Sequence, residues 1–132
     1  MNELETQRQV ADYIRLQYPH AIFHSDFGSG LKLTIGQAAR QARLNGGRRA
    51  WPDMFIAEPN MTADTTIYAG LFIELKRQGT RLKKQNGDWA SDHIAEQAEM
   101  LERLRFRGYA AEFAVGFDEA KEIIDEYLGD LV

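Results

Sequence analysis

The run YAGLFIELK, residues 68–76, is apolar until it ends on a carboxylate and an ammonium, Glu74 and Lys76. Burying either charge is strongly unfavourable unless it is paired, protonated or held by a metal. On a strand, residues two apart share a face, so Glu74 and Lys76 stand side by side while Leu75 points the other way. Chance alone supplies about one carboxylate-x-lysine triplet in a chain of this length. A second copy, Glu119-Ala120-Lys121, lies in a helical pattern, where positions two apart diverge. Asp53 opens a second strand pattern, and the short connection from it to Glu74 favours adjacent strands. Two converging carboxylates, with a main-chain carbonyl such as that of Leu75, water and a phosphate oxygen, suit a hard cation, Mg²⁺ or Mn²⁺. Lys76 would orient a water or stabilise charge developing on phosphorus, which amounts to phosphodiester hydrolysis. The plainer reading is an ion pair at a strand end, with Asp53 capping a turn after Pro52. Glu5 has two readings as well: a carboxylate aimed at the sheet edge, or the closing member of a capping box with Asn2.

These residues need elements to hold them. Leu4, Val10, Ala11, Ile14 and Tyr18 recur at helical steps and predict a helix over 3–18, stopped by YPH. A short strand at 21–25 precedes the turn DFGSG, and a helix over 36–44 closes at Gly46 or Gly47, with Arg40 and Arg43 on one face. Strands follow at 53–58 and 68–76, separated by PNMTADTT as a loop. A polar linker leads to a helix from Ser91 to Arg107, ended by Gly108; a strand at 110–115 and a helix at 118–128 complete the chain. The last helix carries the stripe Ala120, Ile123, Ile124, Tyr127 and Leu128, read as core packing. The order predicts an α/β domain over 1–132, a central mixed β-sheet flanked by helices, with 68–76 at its centre because it is the least polar strand.

The chain has 132 residues and no cysteine, which excludes disulfide frameworks and zinc–thiolate sites. It has no membrane-spanning apolar run and a polar start, so a soluble, cytoplasmic protein without a membrane partner is expected. The net charge of −4 conceals segregation: residues 28–50 carry five basic groups and no acid, and 76–87 repeat that pattern. Two solvated loops would explain this. The sharper reading is a basic rim around an acidic pocket, in which Lys32, Arg40, Arg43, Arg48, Arg49, Arg77, Arg81, Lys83 and Lys84 hold a phosphate backbone. His20, His24 and His93 lack metal-ligand spacing, GSG at 28–30 lacks the lysine of a phosphate loop, and Trp51 and Trp89 are read as packing residues with base stacking as the alternative.

Five blocks in register, ETQRQVADYI (5–14), GGRRAWPDMFIA (46–57), GLFIELKRQGTRL (70–82), EQAEMLERLRFRGY (96–109) and GFDEAKEIIDEYL (116–128), resemble a stand-alone VRR-NUC domain, the virus-type replication-repair branch of the PD-(D/E)XK nucleases. The resemblance implies a restriction-endonuclease-like core and a metal-dependent nuclease that uses no small-molecule cofactor. Small phage and bacterial members resemble endonucleases acting on branched DNA such as four-way junctions, as homodimers. Carried over, Asp53 and Glu74 match the metal-binding carboxylates, Lys76 the catalytic lysine, Glu5 the acidic residue of the first helix, with Glu3 its nearby competitor, and Gln97 the glutamine on the helix after the ExK strand. The chain departs from the family over 25–45.

Overall fold

Six successive buried residues, Leu71–Lys76, form the central strand of the protein. The computed structural model describes residues 2–26, 33–61 and 67–129. In chain order the elements are α1 (Glu3–Gln17), β1 (Phe23–Ser25), α2 (Ile35–Leu44), β2 (Met54–Ile56), β3 (Asn60–Met61), β4 (Ile67–Tyr68), β5 (Leu71–Lys76), α3 (Asp92–Phe106), β6 (Ala110–Val115) and α4 (Phe117–Leu128). The main sheet has the order β1-β2-β5-β6: the first three strands are antiparallel, and β6 runs parallel to β5 after the α3 crossover. This is the mixed, helix-flanked sheet expected from the pattern.

The pleat of β5 sorts the interior. Leu71, Ile73 and Leu75 join Val10 and Ile14 of α1 and Ala120, Ile124 and Leu128 of α4 in one core. Phe72 points to the other face and meets Met100, Leu101 and Leu104 of α3. The i, i+4, i+8 spacing of Ala120, Ile124 and Leu128 gives α4 one continuous buried stripe, and truncating a residue such as Ile124 to Ala should cost about 2–5 kcal/mol. Asp125 ties α4 to α1, accepting hydrogen bonds from Tyr13 (2.6 Å) and Tyr18 (2.8 Å).

The helix ends follow local chemistry. Ser91 caps α3 by accepting from the Ile94 amide. Gly108, at φ 95°, closes it by letting the Gly108 and Tyr109 amides reach Arg105 and Leu104 carbonyls. The segment PNMTADTT, expected as a loop, opens with a strand, and its residues 62–66 lie outside the described residues. Asn60–Met61 pairs with Ile67–Tyr68 as a small hairpin, so Tyr68 belongs to β4 and β5 begins only at Leu71. Side-chain bonds hold this hairpin to α4: Asn60 donates to the Tyr127 carbonyl, and the Tyr127 hydroxyl donates to the Glu58 carbonyl. Gly70 separates the two strands, and a Cβ there would lie 2.6 Å from the Phe55 ring. The linker after β5 is also folded: Lys83 and Trp89 form an antiparallel bridge, the Lys83 ammonium sits 4.8 Å from the Trp89 ring centre, and Trp89 packs on Phe113. No helix among the described residues is long and apolar enough to cross a membrane.

Candidate active site

The second face of the sheet carries two rows of side chains. His24, Phe55 and Phe72 are cross-strand neighbours in the β1–β2–β5 register. Continuing that register by one pleat sets Asp26 opposite Asp53 and Asp53 opposite Glu74. The Asp26 amide donates to the Asp53 carbonyl at 2.7 Å, so the pairing persists past the end of β1. β2 ends before it can supply a carbonyl to Leu75. The Asp53 carboxylate takes that place, accepting from the Leu75 amide at 2.6 Å. A strand residue directs its N–H and C=O to the same side, so the Leu75 carbonyl also faces Asp53.

Glu74 is 2% exposed and Lys76 6%, and Asp53 and Gln97 are likewise buried. Burial first, then a hydrogen bond and repulsion from Asp53, pushes the Glu74 carboxyl up to about 11 despite the opposing pull of Lys76. Gln97 interrupts the apolar stripe of α3, and its buried amide oxygen meets no hydrogen-bond partner. Such an orphaned acceptor in a polar cavity is a place for a water, an ion or the Lys76 ammonium. Asp53, Glu74, Lys76 and Gln97 all border one cavity of about 440 Å³.

Among the described residues, no three His, Cys, Asp or Glu side chains form a group that could hold a metal. The site offers two carboxylates, the Leu75 carbonyl and the Gln97 oxygen, an all-oxygen set. That composition fits a magnesium-type ion, which keeps several waters and takes only one or two carboxylates from the protein.

Glu5 lies apart from this cavity. It is exposed and closes a capping box, accepting from the Asn2 amide at 3.1 Å while its own amide donates to the Asn2 side chain at 2.8 Å. Glu3 borders the cavity, and its charge helps raise Glu74. One turn on, buried Gln7 donates to Ser25 (2.7 Å) and to the Asp26 carbonyl (3.0 Å), fastening the face of α1 that bears Glu3 to the acidic row.

Arg48 and Arg49 border the cavity. Helix α2 turns Ala38, Gln41, Ala42 and Asn45 toward it, which leaves Arg40 and Arg43 on the opposite side of the helix. Arg77, Arg81, Lys83 and Lys84 are exposed on the folded segment after β5. Lys32 lies outside the described residues. Asp26 and His93 also border the cavity, though the sequence reading assigned them no role. The signal for Asp26 was available in principle: it follows β1 as Asp53 precedes β2, but only the strand register makes them neighbours. A larger cavity, about 550 Å³, opens at the other end of β5 and β6 among Tyr68, Tyr109 and Tyr127. Its two glutamates, Glu112 and Glu126, are exposed and it has no buried lysine, whereas the smaller cavity is bordered by the buried Asp53, Glu74 and Lys76.

The fold is shared with a solved structure described as a VRR_NUC domain protein, at 23% sequence identity over 98% of this chain and 89% of that one, with a TM-score of 0.67. No protein-family model and no curated protein matches the chain. The chain thus shares its fold with a VRR_NUC domain protein, the kind of domain that its sequence blocks resemble.

Proposed function

We propose that this protein is a divalent-metal-dependent endonuclease of the PD-(D/E)XK type that hydrolyses phosphodiester bonds in DNA, with branched DNA such as four-way junctions as its substrate. The observation that carries this reading is the buried Asp53–Glu74 pair with Lys76 beside it, on one sheet face and opening to a cavity bordered by Arg48 and Arg49. The solved relative in fold is a VRR_NUC domain protein, which agrees with it.

Asp53, Glu74 and the Leu75 carbonyl would hold a Mg²⁺ or Mn²⁺ ion, which supplies polarisation of the phosphate and a more acidic water. Lys76, itself buried, would place a positive charge where the attacked phosphate gains negative charge. Gln97 offers its free oxygen to orient a water. Glu5 is the first-helix carboxylate expected from the sequence; that Glu3 borders the cavity supports Glu3 in that role, where its charge would act on Glu74. Arg48 and Arg49 draw in the backbone, with Arg77, Arg81, Lys83 and Lys84 as a second basic surface. Since one site cuts one strand, a homodimer would serve the two related strands of a junction.

The deciding experiment incubates the protein with labelled four-way junction, flap, linear duplex and single-stranded DNA in Mg²⁺, Mn²⁺ or EDTA. Metal-dependent cutting, fastest on the junction, is expected. Absence of cutting on every substrate overturns the enzyme, and equal rates on linear duplex overturn the preference for branches.

A further inference from the structure

A second cavity, about 400 Å³, adjoins the acidic one, and both are bordered by Asp26, Gln41, Asn45, Trp51 and Asp53. The proposed hydrolysis makes no use of it. Its floor is the aromatic row next to the acidic row: Phe55 and Phe72 stack with ring centres 4.3 Å apart at 24°, and Trp51 lies 6.3 Å from Phe72 at 48°. The two rows are two residues apart along their strands, about 7 Å. Trp51 stands on the border between the cavities and remains 38% exposed, although the rings behind it are packed. The residue before it, Ala50, holds φ at 62°, a left-handed conformation unfavourable for any residue with a Cβ. Ala50 is packed against the Phe72, Met100 and Leu101 cluster, so the core sustains that strain and fixes where Trp51 emerges.

Resting on the nuclease reading, we propose that this aromatic cavity receives an unpaired base of the strand being cut, stacked on Trp51 while the neighbouring phosphate lies at Asp53 and Glu74. An exposed indole beside a cavity lined by acidic and basic groups matches the two halves of a nucleotide. Stacking on a ring accepts any base, because every base has a π-face. A base inside an intact duplex has both faces occupied, so it cannot enter. The substrate class is therefore DNA with an unpaired nucleotide next to the scissile phosphate, at a branch point, flap or single-stranded segment.

The test combines Trp51→Ala with substrates in which each nucleotide flanking the cut is replaced in turn by an abasic residue. At one position wild-type cleavage should fall at least about fivefold on loss of the base. Trp51→Ala should show a similar fall on intact DNA and no further fall at that abasic position, while Trp51→Phe retains most of the rate. Equal cleavage by Trp51→Ala and wild type, or losses that multiply, overturns the base pocket while leaving the nuclease reading standing. A binding readout works without turnover: in Trp89→Phe protein, where Trp51 is the remaining tryptophan, single-stranded oligonucleotide in EDTA should quench the fluorescence and an abasic oligonucleotide should not. Equal quenching by both also overturns the pocket. Failure of wild type to cut any DNA overturns the nuclease reading instead.

Discussion

Glu74-Leu75-Lys76 and Glu119-Ala120-Lys121 share a spacing and little else. In β5 all three residues are buried, with Leu75 in one core and the two charges together on the opposite face. In α4 the middle residue is buried and the flanking charges are exposed. Lys121 turns away from Glu119 and binds Asp125, four residues on, at 2.9 Å. The contrast shows that a strand converts a two-residue spacing into a shared site, whereas a helix converts a four-residue spacing into an ion pair. Charge at the first is buried and perturbed, and at the second it is solvated and of small effect.

The largest expected break in this comparison is kinetic. Glu74→Ala or Lys76→Ala should lower metal-dependent cleavage by about 10²-fold or more, and Glu119→Ala or Lys121→Ala should leave it within about twofold. Comparable losses from both copies would remove the distinction.

Stability should move the opposite way. The folded, metal-free protein keeps the Glu74 proton up to about pH 11, whereas the unfolded chain releases it near the ordinary carboxylate value of 4.5. Between those limits the unfolded state binds fewer protons, so stability falls as pH rises. Glu74→Gln keeps the shape without the charge; it should raise the stability of the EDTA-treated protein at pH 9 by about 1–3 kcal/mol and flatten its pH dependence while abolishing cleavage. A lower melting temperature for Glu74→Gln would contradict this account of the burial.

The same dependence on element geometry separates the arginines. Arg48→Ala with Arg49→Ala should weaken DNA binding about tenfold and reduce the slope of log affinity against log salt by about 2. Arg40→Ala with Arg43→Ala, on the far side of α2, should do less in a titration at several salt concentrations.

The smallest effect belongs to the helical copy's own partner. Burial pulls the Asp125 carboxyl up, but the donors Tyr13, Lys121 and Tyr18 outweigh it and hold it below its ordinary value. Its contribution is present above the unfolded value and lost as pH falls through the lower folded one. Asp125→Ala should cost about 1 kcal/mol at pH 7 and less in acid, as thermal melts at the two pH values would show.

Much of the frame was readable because short-range rules set it. The apolarity of 71–76 placed β5 at the centre, Ser91 and Gly108 marked the limits of α3, and the connection between Asp53 and Glu74 made their strands neighbours. What escaped depended on long-range placement. Whether Glu3 or Glu5 faces the site is a question of helix phase, settled only where α1 packs and Gln7 finds Ser25 and Asp26. The side of α2 that bears Arg40 and Arg43 is not encoded in their own spacing. The β3–β4 hairpin has two-residue strands, too short for any periodicity, and is held by Tyr127 from the far end of the chain.

The bond from the Leu75 amide to Asp53 has a spectroscopic consequence. That proton is held by a side chain where a neighbouring strand carbonyl would ordinarily serve, so its exchange with deuterated solvent reports on one carboxylate rather than on the sheet. In a ¹⁵N-labelled sample, Asp53→Ala should release the Leu75 amide to exchange while Ile73, inside the β2–β5 ladder, stays protected. Any ligand that draws on the Asp53 carboxylate should move this one resonance first.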